Sequence, residues 1–142
     1  MRVLGVEGTA WAASAAVYDA GTDAVLMETD AYRPESGGIH PREAAEHMAD
    51  AVPAVVETVL DRARDEYGPD PIDAVAFSRG PGLGPCLRVA GTAARALAGR
   101  LDLPLVGVNH MVAHLEIGRH RSGFDAPVCL NASGANAHLL GY

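Results

Sequence analysis

The sequence predicts an α/β fold built around a mixed β-sheet, and three observations carry that prediction. Up to Tyr32, apolar runs of strand length alternate with turns rich in Gly, Thr and Asp. From Pro41 the apolar spacing lengthens to three and four residues, the period of an amphipathic helix. Beyond Pro69, short apolar runs alternate with helical stretches, an order that lays parallel strands side by side.

Taken in order, residues 2–6 form a first strand, which Gly8 and Thr9 interrupt. Residues 11–18 and 24–32 form a second and a third, joined by the turn Asp19-Ala20-Gly21-Thr22-Asp23, and the three make an antiparallel meander. Arg33 to Gly38 is a loop by composition. Ala44, Met48, Val52, Val55, Val59 and Leu60 then mark the packing face of a helix over residues 41–67. Pro41 suits its first turn, where a missing N–H costs nothing, whereas Pro53 falls mid-helix and is expected to kink it.

A strand at 72–77 runs into the glycine-rich turn Gly80-Pro81-Gly82-Leu83-Gly84-Pro85, and a helix over 86–100 follows, its small residues letting it lie close to the sheet. A strand at 105–108 leads into a third helix from His110 to about His120. Residues 127–132 and 137–142 form a closing hairpin around Ser133-Gly134-Ala135-Asn136. Because a two-stranded hairpin is marginal alone, the expected organisation is one lobe over residues 1–124 and, over 125–142, the opening hairpin of an incomplete second lobe.

A chain of 142 residues, 49% of them hydrophobic, holds one ordinary core. Eleven basic residues, all Arg, face eighteen acidic ones, for a net charge of −7. This excludes a broad basic surface gripping nucleic acid through its phosphates; any such contact is local or made through a partner. Cys86 and Cys129 lack Cys-x-x-Cys spacing, so neither a zinc knuckle nor a disulfide framework is expected. No apolar run approaches the ~20 residues that span a bilayer, and the N-terminus lacks the apolar core of a signal peptide. A cytoplasmic protein without membrane contact is expected.

Ligands of open α/β sheets bind beyond the carboxyl ends of the strands, and three loops here leave strands at such places. In Gly5-Val6-Glu7-Gly8-Thr9-Ala10 an acid precedes a small turn whose N–H groups and Thr9 hydroxyl suit a phosphate; a hairpin turn needing small residues explains it as well. The Gly80 to Pro85 turn presents a helix N-terminus, favourable for an anion, but lacks the Lys-Ser/Thr ending of a P-loop. The third loop leads into His110 and His114. At i, i+4 on a helix, two imidazoles share a face and can converge on one zinc or iron ion; two surface histidines would show the same spacing. No Glu follows His110, so the general base of a His-Glu-x-x-His peptidase is missing. Among the other histidines, His40 and His47 are ligand-facing or simply polar, and His120 and His138 read as polar.

Together these stretches resemble the archaeal–eukaryotic branch of the tRNA threonylcarbamoyladenosine family, relatives of bacterial TsaD once called O-sialoglycoprotein endopeptidases. The strings that carry the resemblance are Gly5 to Ala10, Gly37-Gly38-Ile39-His40-Pro41-Arg42-Glu43-Ala44-Ala45-Glu46-His47, Phe77-Ser78-Arg79-Gly80-Pro81-Gly82-Leu83-Gly84-Pro85, and Gly107-Val108-Asn109-His110-Met111-Val112-Ala113-His114-Leu115-Glu116-Ile117.

The resemblance implies an actin/Hsp70/sugar-kinase-like (ribonuclease H-like) first lobe, with His110 and His114 as ligands to one iron or zinc ion. It implies ATP or threonylcarbamoyl-AMP as bound nucleotide, with Glu7, Gly8, Thr9, Ser133, Gly134, Ala135 and Asn136 near it. The implied reaction moves a threonylcarbamoyl group to the adenosine beside the anticodon of tRNA, with the kinase subunit and the small dimeric scaffold subunit of the KEOPS complex as partners. Asn131 stands where archaeal members carry a Tyr, hence near metal or substrate, and Ala137 and His138 replace the usual Thr and Gln. The family's Asp ligand belongs to a second lobe, so these 142 residues alone are expected to be inactive. The alternatives are a non-catalytic lobe that binds KEOPS-type partners through the helix at 41–67 and, less favoured, a metallopeptidase.

Overall fold

The computed structural model describes residues 1–35, 37–132 and 137–141. Strands β1 (Arg2–Glu7), β2 (Ala12–Asp19) and β3 (Ala24–Ala31) are followed by α1 (Pro41–Tyr67), β4 (Ala74–Gly80), α2 (Gly84–Leu101), β5 (Leu105–Asn109) and α3 (His110–Ser122). A separate hairpin, β6 (Val128–Ala132) and β7 (Ala137–Gly141), comes last. The main sheet has the order β3-β2-β1-β4-β5. β1 to β3 pair antiparallel, whereas β4 lies parallel to both β1 and β5. The mixed sheet expected from the sequence is therefore present.

Strand alternation decides which face is covered. Leu4 and Val6 of β1, Ala13, Ala15 and Val17 of β2, and Val75 and Phe77 of β4 are buried, and they form one core with Ala44, Met48, Val52, Val55 and Val59 of α1 and Ala90, Ala94 and Ala98 of α2. Alanines on α2 let it sit close to the sheet. Among the described residues the opposite face takes only α3, whose single buried residue is Leu115.

α1 is one continuous helix through Pro53, which is solvent-exposed, so the carbonyl that loses its partner can turn to water. One strand boundary is adjusted. β4 starts at Ala74 and continues to Gly80, because pairing with β5 carries it through Ser78 and, after an irregularity, on to Gly80. Gly80 has φ of 133°, a conformation open to glycine, and this swings the chain out of the strand into α2.

Candidate metal centre

Register assembles the site. Leu4 and Val6 face the helices, so Glu7, the last residue of β1, points to the other side. The parallel ladder pairs Val6 with Phe77, which puts the next residues, Glu7 and Ser78, side by side on that face. Ser78, buried, donates a hydrogen bond from Oγ to Glu7 Oε2. On the other flank Glu7 pairs with Ser14, whose hydroxyl meets that of Thr29 on β3 at 2.9 Å. Thr29, Ser14, Glu7 and Ser78 thus form a polar row across four strands.

β5 delivers the histidines to this row. Its last residue, Asn109, caps α3: the side-chain oxygen accepts from the N–H groups of Met111 at 2.9 Å and Val112 at 3.3 Å. Nδ1 of His110 lies 3.1 Å from Glu7 Oε2, and Nε2 of His110 lies 3.1 Å from Nε2 of His114. The two rings stand nearly perpendicular, at 80°. Burial alone would raise the pKa of Glu7, but hydrogen bonds from Ser78 and Thr9 and the nearby His110 together hold it below the ordinary carboxylate value. Burial lowers the pKa of His114, as does His110 beside it, against a smaller upward pull from Glu7.

Two imidazole nitrogens bound to one tetrahedral ion at 2.0–2.1 Å stand about 3.3 Å apart. The Nε2 atoms of His110 and His114 already have nearly that spacing, so the pair fits a metal that accepts neutral nitrogen ligands. Among the described residues no set of three or more His, Cys, Asp or Glu side chains gathers as metal ligands.

The remaining residues singled out from the sequence fall in various places. Gly8 is buried, and a Cβ there would lie 2.8 Å from that of Ala90, so its smallness serves the approach of β1 to α2. The Thr9 N–H donates to Glu7 Oε1 at 2.7 Å, and the Thr9 carbonyl accepts from Leu83 N at 2.6 Å. The first glycine turn is thereby bound to the second instead of presenting the Thr9 amide outward. The Asn131 amide lies 3.6 Å from Met111 Sδ, beside the first turn of α3. Ser133, Gly134, Ala135 and Asn136 lie outside the described residues.

His40 is the N-cap of α1 without a side-chain cap bond, and His138 is exposed on β7. His47 packs against Tyr32, its Nε2 3.4 Å from Asp30 Oδ1 without hydrogen-bond alignment. His120 bonds Asp23 Oδ1 at 2.7 Å and ties the end of α3 to the β2–β3 turn. Sequence reasoning gave no role to Ser78, Asn109 or Asp23. Only Asn109 carried a local signal, an Asn directly before a helix.

A mixed five-stranded sheet backed by two helices on one face defines an α/β protein of the class expected from the sequence. The comparisons agree. YeaZ from Pseudomonas aeruginosa superimposes with a TM-score of 0.65 over 99% of this chain and 65% of that one, at 19% identity. A second Pseudomonas aeruginosa structure, described as similar to the peptidase YeaZ, gives 0.64 at 20% identity. The chain belongs to the TsaD family, tRNA N6-adenosine threonylcarbamoyltransferase, whose family model matches residues 23–142. It is 74% identical, over all its length, to a probable bifunctional tRNA threonylcarbamoyladenosine biosynthesis protein of Halobacterium salinarum, and spans 26% of that protein. It is 53% identical, over 99% of its length, to the tRNA N6-adenosine threonylcarbamoyltransferase of Methanococcoides burtonii, of which it spans 42%.

Proposed function

We propose that this chain supplies the first lobe of a cytoplasmic tRNA threonylcarbamoyltransferase, with His110 and His114 holding one iron or zinc ion. The observation that carries this is the convergence of their Nε2 atoms at 3.1 Å in a chain of that family. A bound metal ion supplies Lewis acidity toward the carbonyl or phosphate of threonylcarbamoyl-AMP. The chain's own residues do the rest on this side. α3 presents both imidazoles on one face, Asn109 fixes the start of that helix, and Asn131 lines the approach next to Met111. The turn at Gly8-Thr9 and the sequence stretch Gly134-Ala135-Asn136, which lies outside the described residues, are the places for nucleotide oxygens in this reading, with tRNA as acceptor.

The reading also places partners. The groove between α1 and α2 has an apolar floor that includes Val56, Leu60, Ala93 and Leu97, with Glu57 and Arg100 at its edge. In this reading the groove, one wall of which is α1, is the seat of the small dimeric scaffold subunit of the KEOPS type, with the kinase subunit as a further partner. No helix among the described residues is long and apolar enough to cross a membrane.

Metal analysis of the purified protein tests the proposal. Stoichiometric iron or zinc, lost in both His110→Ala and His114→Ala, is the expected result. Metal content unchanged in both variants overturns it. Tight partner binding with no metal favours the non-catalytic lobe. Residues 1–142 alone are expected not to transfer threonylcarbamoyl to tRNA.

A further inference from the structure

We propose that Ser78 is a positioning residue: with Thr9 it locks the Glu7 carboxylate so that Glu7 fixes the tautomer of His110, leaving His110 Nε2 unprotonated and turned to His114. This rests on the reading of His110 and His114 as a metal pair.

The argument is one of donors and acceptors. An ionised carboxylate only accepts, and a neutral imidazole carries one N–H. The ring nitrogen that faces Glu7 Oε2 is Nδ1, so Nδ1 holds the proton and Nε2 keeps its lone pair. In the metal-free protein His114 then donates its Nε2–H to that lone pair, which accounts for the 3.1 Å between the two Nε2 atoms.

Glu7 needs help to do this. The last torsion of a Glu side chain is broad, so an unheld carboxylate turns away from the ring. Here Oε1 is held by the Thr9 N–H at 2.7 Å and Oε2 by the Ser78 hydroxyl, which comes from the neighbouring parallel strand. Ser78 is 8% exposed, which keeps water from replacing it. Carboxylate support of a ligating imidazole is worth about 10- to 100-fold in metal affinity.

The test uses the metal-free full chain, 15N-labelled at histidine, with Ser78→Ala and the isosteric Glu7→Gln. Long-range 1H–15N correlation reads the tautomers, zinc alone serves as probe for affinity, and the amide spectrum reports folding. Wild type is expected to show His110 protonated at Nδ1. Both variants are expected to mix the two tautomers and to bind zinc about 10- to 100-fold more weakly.

A wild-type His110 protonated at Nε2 overturns the proposal, and that reading needs no variant to fold. So does a folded Ser78→Ala protein in which either tautomer or zinc affinity is unchanged. If wild type shows the expected tautomer but binds neither zinc nor iron, the metal reading fails while the hold of Ser78 on His110 stands.

Discussion

A Cβ placed on Gly8 would sit 2.8 Å from the Cβ of Ala90, closer than two methyl groups can approach. The end of β1, where the candidate site begins, is thus set by the packing of a strand terminus on α2.

Gly8→Ala is therefore expected to destabilise the protein by about 1–3 kcal/mol, the usual cost of overpacking. In an Ala90→Gly background the same change should cost markedly less, because the clash is pairwise. Gly82→Ala should be worse than Gly8→Ala, since its Cβ would meet the backbone carbonyl of Thr9, which cannot rotate away. Urea denaturation of the three single variants and the double variant measures this. Equal costs of Gly8→Ala in the two backgrounds would sink the account.

Asn109 caps the helix that carries both candidate ligands. Asn109→Ala should cost about 0.5–2 kcal/mol in α3, whereas Asn109→Asp should keep the cap and gain from the helix dipole. Since α3 buries only Leu115, the loss should appear locally, as faster hydrogen exchange at the Met111 and Val112 amides. Unchanged exchange at those two amides would show that something other than Asn109 orders the turn.

Asp23 and His120 hold the far end of α3. The hydrogen bond from His120 is the largest influence on the Asp23 carboxyl; with the charge of Arg121 it outweighs a smaller upward push from burial, and the pKa lies below the usual value. A lowered folded-state pKa means that this contact stabilises above the unfolded carboxylate pKa and is lost as pH falls through the folded value. In a 13C titration, His120→Ala should move the Asp23 pKa up toward the ordinary range. An unmoved value would contradict the pairing.

Much of the fold was legible because periodicity reports local structure. The three- and four-residue spacing from Ala44 to Leu60 marked α1, Pro41 and Gly68-Pro69 its ends, and the turn at Asp19 to Asp23 the meander. The site was legible only in part. The spacing of His110 and His114 shows that they share a helix face, but not what lies opposite. Glu7 meets His110 across 103 residues of sequence and Ser78 across 71, and both contacts follow from lateral strand register, which no local pattern encodes. The contact of Thr9 was hidden for a related reason: that the turn aims its Thr9 N–H back at Glu7 follows from how the chain bends after β1, which the small polar residues alone do not encode.

Pro53 offers the clearest route to a more stable protein. It lies inside an unbroken α1 and is exposed, so replacing it removes no core contact. Proline in a helix interior is about 3 kcal/mol less favourable than alanine, partly offset here because proline also stiffens the unfolded chain, by about 0.4–1 kcal/mol. Pro53→Ala restores an N–H that can reach the carbonyl of Ala49 four residues back, and it relieves the ring against that same carbonyl. A net gain of about 1–3 kcal/mol is expected, read as a higher urea midpoint at unchanged slope. A neutral or destabilising result would mean that α1 is bent around Pro53 in a shape its packing requires. The groove between α1 and α2, which Pro53 also lines, would then owe its form to that residue.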